Sequence, residues 1–321
     1  MAGERTVGQR PVPGTRRTAS ILGILVDLSP VAPPEADRQR IAQLRKARAE
    51  GVTVFDVAGS NAPAQAERMV ATAFPRADPE LLVLVRARLS GSRAGRGPET
   101  GGPLATDPRA LEGLRTSLAE SRRRLAPQSP GILEWSVGGP DADEADTAVA
   151  ALESLRTEGE IAGWSLRLAP DRETLGPQLA RYRPKLFSTE LSLLDPSLTR
   201  YLESEARTAE FGTFVRDPFA NGLLDGTRFS SALSDRTPRT GPVDVRALRT
   251  EFSPVLRLGY LSTGNRRTLA QSALQYLLPR SWVTSILVPL PRPERWEDVF
   301  GAAKTAPLSV EELLQVESGT S

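Results

Sequence analysis

Charged and hydroxyl side chains interrupt a series of otherwise apolar runs at regular spacing. Asp56 lies in TVFDVAG, Arg86 and Arg88 alternate with apolar residues in LLVLVRARL, and Glu134 and Ser136 are two apart in GILEWSV. Ser165 and Arg167 are two apart in IAGWSLRLA, Ser188 and Glu190 in LFSTELSLL, and Arg216 closes FGTFVR. In a strand, residues two apart share a face. If those faces meet in one cavity, Glu134 or Glu190 can serve as general acid or base beside Asp56 and Arg86, and the arginines can receive an anionic or zwitterionic ligand. The competing reading is a set of internal ion pairs, Asp56 with Arg86 first among them, that fills the cavity.

Two absences bound this chemistry. The 321 residues include no cysteine and no histidine. That excludes disulfides, thiolate nucleophiles, Cys- or His-ligated metals, a Ser-His-Asp triad and an imidazole proton shuttle. Chemistry is left to Asp, Glu, Lys, Arg, Tyr, Ser or a bound cofactor. The 41 basic and 39 acidic side chains leave a net charge of +2, too small for a nucleic-acid or membrane-surface signature. Arg122, Arg123 and Arg124 read as a solvated helix end, because no aromatic residue interleaves with them. No run of eighteen apolar residues exists, so no segment is expected to span a membrane. Arg16-Arg17 before ILGILV loosely resembles a twin-arginine signal, but Asp27 interrupts a very short apolar stretch, and a cytoplasmic location is expected.

The elements that must position these residues follow from hydrophobic periodicity. Residues 1–19 lack it and read as a flexible Arg- and Pro-containing arm, leaving 20–321 as one domain. From Ile21 onward, eight short apolar runs alternate with helical patterns. The runs begin near residues 21, 53, 81, 131, 161, 186, 211 and 283. Residues 90–108 and roughly 225–262 read as loops. Strands apolar on both faces, each followed by a helix, fit an α/β (β/α)8 TIM barrel better than an open doubly wound sheet. The segment SVEELLQVES adds an accessory C-terminal helix, with Ser309 as N-cap and Glu312 completing a capping box.

Four motifs in order resemble the aldo/keto reductase family: GVTVFDVAGSNAPAQAE, LESLRTEGEIAGWSLRL, DPFANGLLDG and ILVPLPRPERWEDV. The resemblance implies the barrel and, in the family, an Asp-Tyr-Lys-His tetrad working on NADP(H). Residue by residue, the Asp is retained as Asp56, while Asn61, Arg86 and Ser136 stand at the Tyr, Lys and His positions. At the positions that hold the family's nicotinamide stand Ser165, Leu166, Ser188 and, in place of a stacking aromatic, Arg216. Asp217 stands where a Ser caps the pyrophosphate, and Pro289 near the adenosine phosphate. With the tetrad positions turned inward, Asp56, Arg86, Glu134, Ser136, Ser165, Arg167, Ser188 and Glu190 share the interior and Arg216 lies at its rim.

Three functions follow from these residues. The first is a reductase-like barrel that has lost carbonyl reduction, holds no cofactor and serves as a ligand-binding, regulatory or assembly protein, alone or with a protein partner or as an oligomer. The second is a non-redox isomerase, dehydratase or lyase acting on an anionic metabolite. The third is a divergent NADP(H)-dependent oxidoreductase that takes its proton from another donor, for instance Tyr260.

Overall fold

In a computed structural model, the chain closes the barrel that the alternating pattern predicts. The structure describes residues 7–28, 34–88, 108–137, 142–228 and 252–318. Nearly all of the loop expected at 90–108, and much of that at 225–262, lies outside the described residues.

The eight barrel strands are β3 (Leu22–Leu25), β4 (Val54–Asp56), β5 (Leu82–Arg86), β6 (Pro130–Ser136), β7 (Gly163–Arg167), β8 (Leu186–Glu190), β9 (Gly212–Arg216) and β10 (Val283–Pro289). They pair in sequence order, all parallel, and β10 returns to β3 to close the ring. Helices α1 (Pro34–Ala49), α2 (Pro63–Ala73), α3 (Pro108–Leu125), α4 (Ala142–Thr157), α5 (Arg172–Tyr182), α6 (Pro196–Glu205) and α7 (Leu269–Leu277) follow the first seven strands. After β10 the helical pattern is broken into short turns around α8 (Trp296–Phe300). The accessory helix α9 (Val310–Ser318) carries the expected capping box: Ser309 N–H donates to Glu312 Oε2 at 2.8 Å, and Glu312 N–H to Ser309 Oγ at 3.2 Å.

Side chains alternate in and out along each strand, and the outer set packs on the helices as the main core. A smaller buried cluster of Val54, Leu82, Leu84, Ile132, Leu186, Phe214 and Leu287 comes from the alternate positions. Two residues above Val54, Ile132 and Phe214 on their strands stand Asp56, Glu134 and Arg216. The interior is therefore apolar below and charged above, toward the strand ends where TIM barrels bind ligands.

The expectation of a loose N-terminal arm is overturned for the residues described. β1 (Gln9–Pro11) and β2 (Thr18–Ser20) form an antiparallel hairpin, and its Val12 and Ala19 join the interior cluster from below. Apolar periodicity cannot report this element, because few of its side chains are buried and the backbone is held by tertiary bonds. Arg10 donates to the carbonyls of Leu278 (2.6 Å), Arg280 (2.5 Å) and Val283 (2.5 Å). Arg17 donates to those of Pro79 and Leu81, both at 2.8 Å. The hairpin fits because two strand starts lack side chains: a Cβ on Gly163 would lie 2.5 Å from Thr15 Cγ2, and one on Gly212 2.8 Å from Pro13 Cδ. Replacing Arg10 by Ala removes a three-carbonyl clamp, and we expect urea denaturation to register a loss of about 2 kcal/mol.

Candidate functional site

The charged upper layer converges on one side chain. Arg216, at the end of β9, is 3% exposed, so the residue expected at the rim sits in the middle of the interior. It can do so because its neighbours on the inner face carry the acceptors its guanidinium needs. Nη1 donates to Asp56 Oδ2, Nη2 to Glu134 Oε1 at 2.7 Å, and Nε to Ser188 Oγ at 3.2 Å. Glu134 Oε2 in turn accepts from Ser188 Oγ at 2.8 Å and Ser165 Oγ at 3.2 Å, while Asp56 Oδ1 accepts the Gly59 N–H at 3.1 Å. Burial alone would lower the Arg216 pKa, but the two carboxylates outweigh it and hold the guanidinium charge firmly.

Arg86 does not pair with Asp56, contrary to the sequence expectation. Its Nε and Nη2 donate to the Ala58 carbonyl at 2.9 and 2.6 Å, and Nη2 also to the Ser60 carbonyl at 3.1 Å. Burial, and then the like charges of Arg88 and Arg167, lower its pKa. The loop after β4 bends its carbonyls toward Arg86, a local arrangement that strand alternation cannot foresee. Within this layer Arg86 still opposes the charges of Asp56 and Glu134 through space.

Five further candidate residues lie away from the bonded centre. Ser136 has the parity of Glu134 but is exposed at the strand end. Asn61 is exposed, and its Nδ2 donates to Asp27 Oδ1 at 3.2 Å. Arg167 and Glu190 pair with each other at 3.1 Å, half-buried at the mouth. Tyr260 lines a separate cavity of about 190 Å³ with Leu193, Gln315 and Val316.

Asp217, the residue after Arg216, is the group the sequence reading undervalued. A cavity of about 480 Å³ over the barrel mouth and a neighbouring one of about 530 Å³ both touch Glu190, Asp217 and Asn221. Asp217, Ala220 and Asn221 adopt φ of 48°, 50° and 54°, a region costly for residues with a Cβ. The turn is held by the Asp217 carboxylate, whose two oxygens accept the Asn221 N–H at 2.7 and 3.0 Å. Burial, then the charges of Glu190 and Asp225, push the Asp217 carboxyl up to about 6. The signal available in the sequence was the run RDPFANG, in which an acid and three turn formers follow a strand.

The profile of the aldo/keto reductase family matches residues 30–319. The chain belongs to the aldo/keto reductase family. The same barrel recurs in solved aldo-keto reductases. The holo form of one from Bacillus halodurans is 21% identical, covers 97% of this chain and 96% of its own, and has a TM-score of 0.66. The glycerol dehydrogenase of Gluconobacter oxydans is 15% identical, with coverages of 97% and 94% and a TM-score of 0.67. A thermostable aldo-keto reductase in complex with the inhibitor epalrestat is 15% identical, with coverages of 97% and 99% and a TM-score of 0.68. No curated protein matches the chain in sequence. Among the described residues, no helix of this aldo/keto reductase barrel is long and apolar enough to cross a membrane.

Two outcomes follow from the site. Arg216→Met strands two buried carboxylates, and we expect urea denaturation at neutral pH to register a loss of about 3–5 kcal/mol. For Asp217, a folded pKa above the ordinary 3.8 means a stabilising contribution present below that value and lost as pH rises through about 6. Asp217→Asn should therefore melt higher than the parent at pH 8 relative to pH 4, the gap opening across that window.

Proposed function

We propose that this aldo/keto reductase-family barrel does not carry out NADP(H)-dependent carbonyl reduction and acts instead as a ligand-binding, regulatory or assembly protein. The observation that carries this reading is the Arg216 guanidinium bonded to both Asp56 and Glu134. A reductase needs a proton donor at the reacting carbonyl. Asn61 has no acidic proton to give, Arg86 is occupied by two carbonyls, and both oxygens of Glu134 are bonded within the interior.

The implied cofactor fits poorly with the same residues. The guanidinium of Arg216 lies hard against Gly59 at the barrel mouth, and the position offers no ring on which a nicotinamide could stack. The next residue is a carboxylate, which repels a pyrophosphate where a donor would attract it. These features favour a barrel without NADP(H) over the oxidoreductase alternative. Tyr260 does not rescue that alternative, because none of Asp56, Glu134 or Arg216 lines its cavity. The non-redox enzyme reading retains only Glu190, which is tied to Arg167.

Titrating NADPH against the protein tests the proposal. Fluorescence should show no saturable quenching in the micromolar range, and aldehydes added with NADPH should leave its absorbance unchanged. Micromolar binding with quenching overturns it.

A further inference from the structure

The cavity of about 480 Å³ over the barrel mouth lies within the range of ordinary small-molecule pockets, roughly 300–1,000 Å³. Most of its charged lining is already matched. Arg167 pairs with Glu190 at 3.1 Å, Arg295 with Asp298 at 3.0 Å, and Arg216 with the two interior carboxylates. Asp225 turns to the N–H and hydroxyl of Thr227, at 2.9 and 2.7 Å. Three charges of the lining form no ion pair among the described residues: Asp217 and Asp225, after β9, and Arg292, after β10; of the two acids, only Asp217 opens onto both cavities. The same lining also carries apolar surface from Leu25, Phe219, Leu290 and Val299.

We propose that this groove binds a zwitterionic small molecule, its ammonium or guanidinium group on Asp217 and its carboxylate, sulfonate or phosphate on Arg292. This deepens the non-reducing reading of the same site and rests on it. A ligand anionic throughout would bring like charge to Asp217, with Glu190 and Asp225 adding to the repulsion. A ligand with a cation at that end removes it. Arg295, beside Arg292 in the same lining, adds positive potential for the acidic end, although Asp298 neutralises part of it. Because burial and the neighbouring acids hold Asp217 near pH 6, a cationic group there should favour its ionised form. The charged groups that face Asp217 are Glu190 and its partner Arg167, Asp225 on its own loop, and Asp195 and Arg228 across the adjoining cavity.

Calorimetry with a homologous series of ω-aminoalkanesulfonates tests the proposal, since neither end of these probes titrates between pH 5 and 8. The matching alkanesulfonates and alkylamines are the controls. At least one aminosulfonate should bind at least about tenfold more tightly than either control of its length, one such factor being about 1.4 kcal/mol. Its affinity should fall about tenfold from pH 7 to pH 5 as Asp217 is protonated. Asp217→Asn should abolish both the amine preference and the pH dependence, and Arg292→Ala the sulfonate preference, with both variants retaining the parent's circular dichroism. Equal affinity for the aminosulfonate and the alkanesulfonate, no binding by any member, or an Asp217→Asn variant that keeps the preference overturns the proposal. NADPH titrated in parallel separates the two readings. Tight NADPH binding sinks the non-reducing assignment, whereas silence from both NADPH and the aminosulfonates sinks only the zwitterion site.

Discussion

A guanidinium between two carboxylates, closed off from water, is the contact around which the upper half of this barrel is arranged. Charges as deeply buried as Asp56, Glu134 and Arg216 persist only when each is matched and its remaining hydrogen-bonding capacity is filled. Ser165 and Ser188 fill that of Glu134, and the Gly59 N–H fills that of Asp56. Five strands and one loop thus contribute to a single bonded unit. Removing one member leaves the others with charge or lone pairs they cannot satisfy. A carboxylate that would otherwise be free to exchange a proton is spent on holding Arg216, and for this reason the geometry favours binding over proton-transfer chemistry.

That unit is held in place from below. The apolar interior layer fixes the height at which the charges sit, and the N-terminal hairpin seals its lower end with Val12 and Ala19. Above it the chain turns sharply. Arg216 points inward and Asp217 belongs to the mouth, so two consecutive residues divide the labour of closing the interior and shaping the groove. The left-handed conformations at Asp217, Ala220 and Asn221 are the local cost of that turn, offset by the hydrogen bonds that the Asp217 carboxylate accepts from Asn221. Closed interior and charged groove are therefore consequences of one strand end.

Much of the barrel was legible because parallel strands buried on both faces read as apolar runs, and each was found where its run lies. The inward parity of Asp56, Glu134, Ser165 and Ser188 was legible as well, since alternation fixes it once one position is set, whereas the interior position of Arg216, expected at the rim, was not. The hairpin was not. Its strands are three residues each, and its anchoring comes from Arg10 and Arg17 reaching carbonyls distant in sequence, which leaves no periodic trace.

The sequence by itself determined the fold, the family, the absence of histidine and thiol chemistry, and the set of charged residues available to the interior. Only the tertiary structure decided who pairs with whom. Asp56 could have met Arg86 or Arg216, and either choice satisfies the pattern of alternation. The outcome turned on backbone geometry: the carbonyls of Ala58 and Ser60 bend toward Arg86 and occupy its donors, while Arg216, entering from β9, lies between the two acids. Pairing among buried charges depends on distances of a few ångströms across different strands, and that information exists only once the ring is closed.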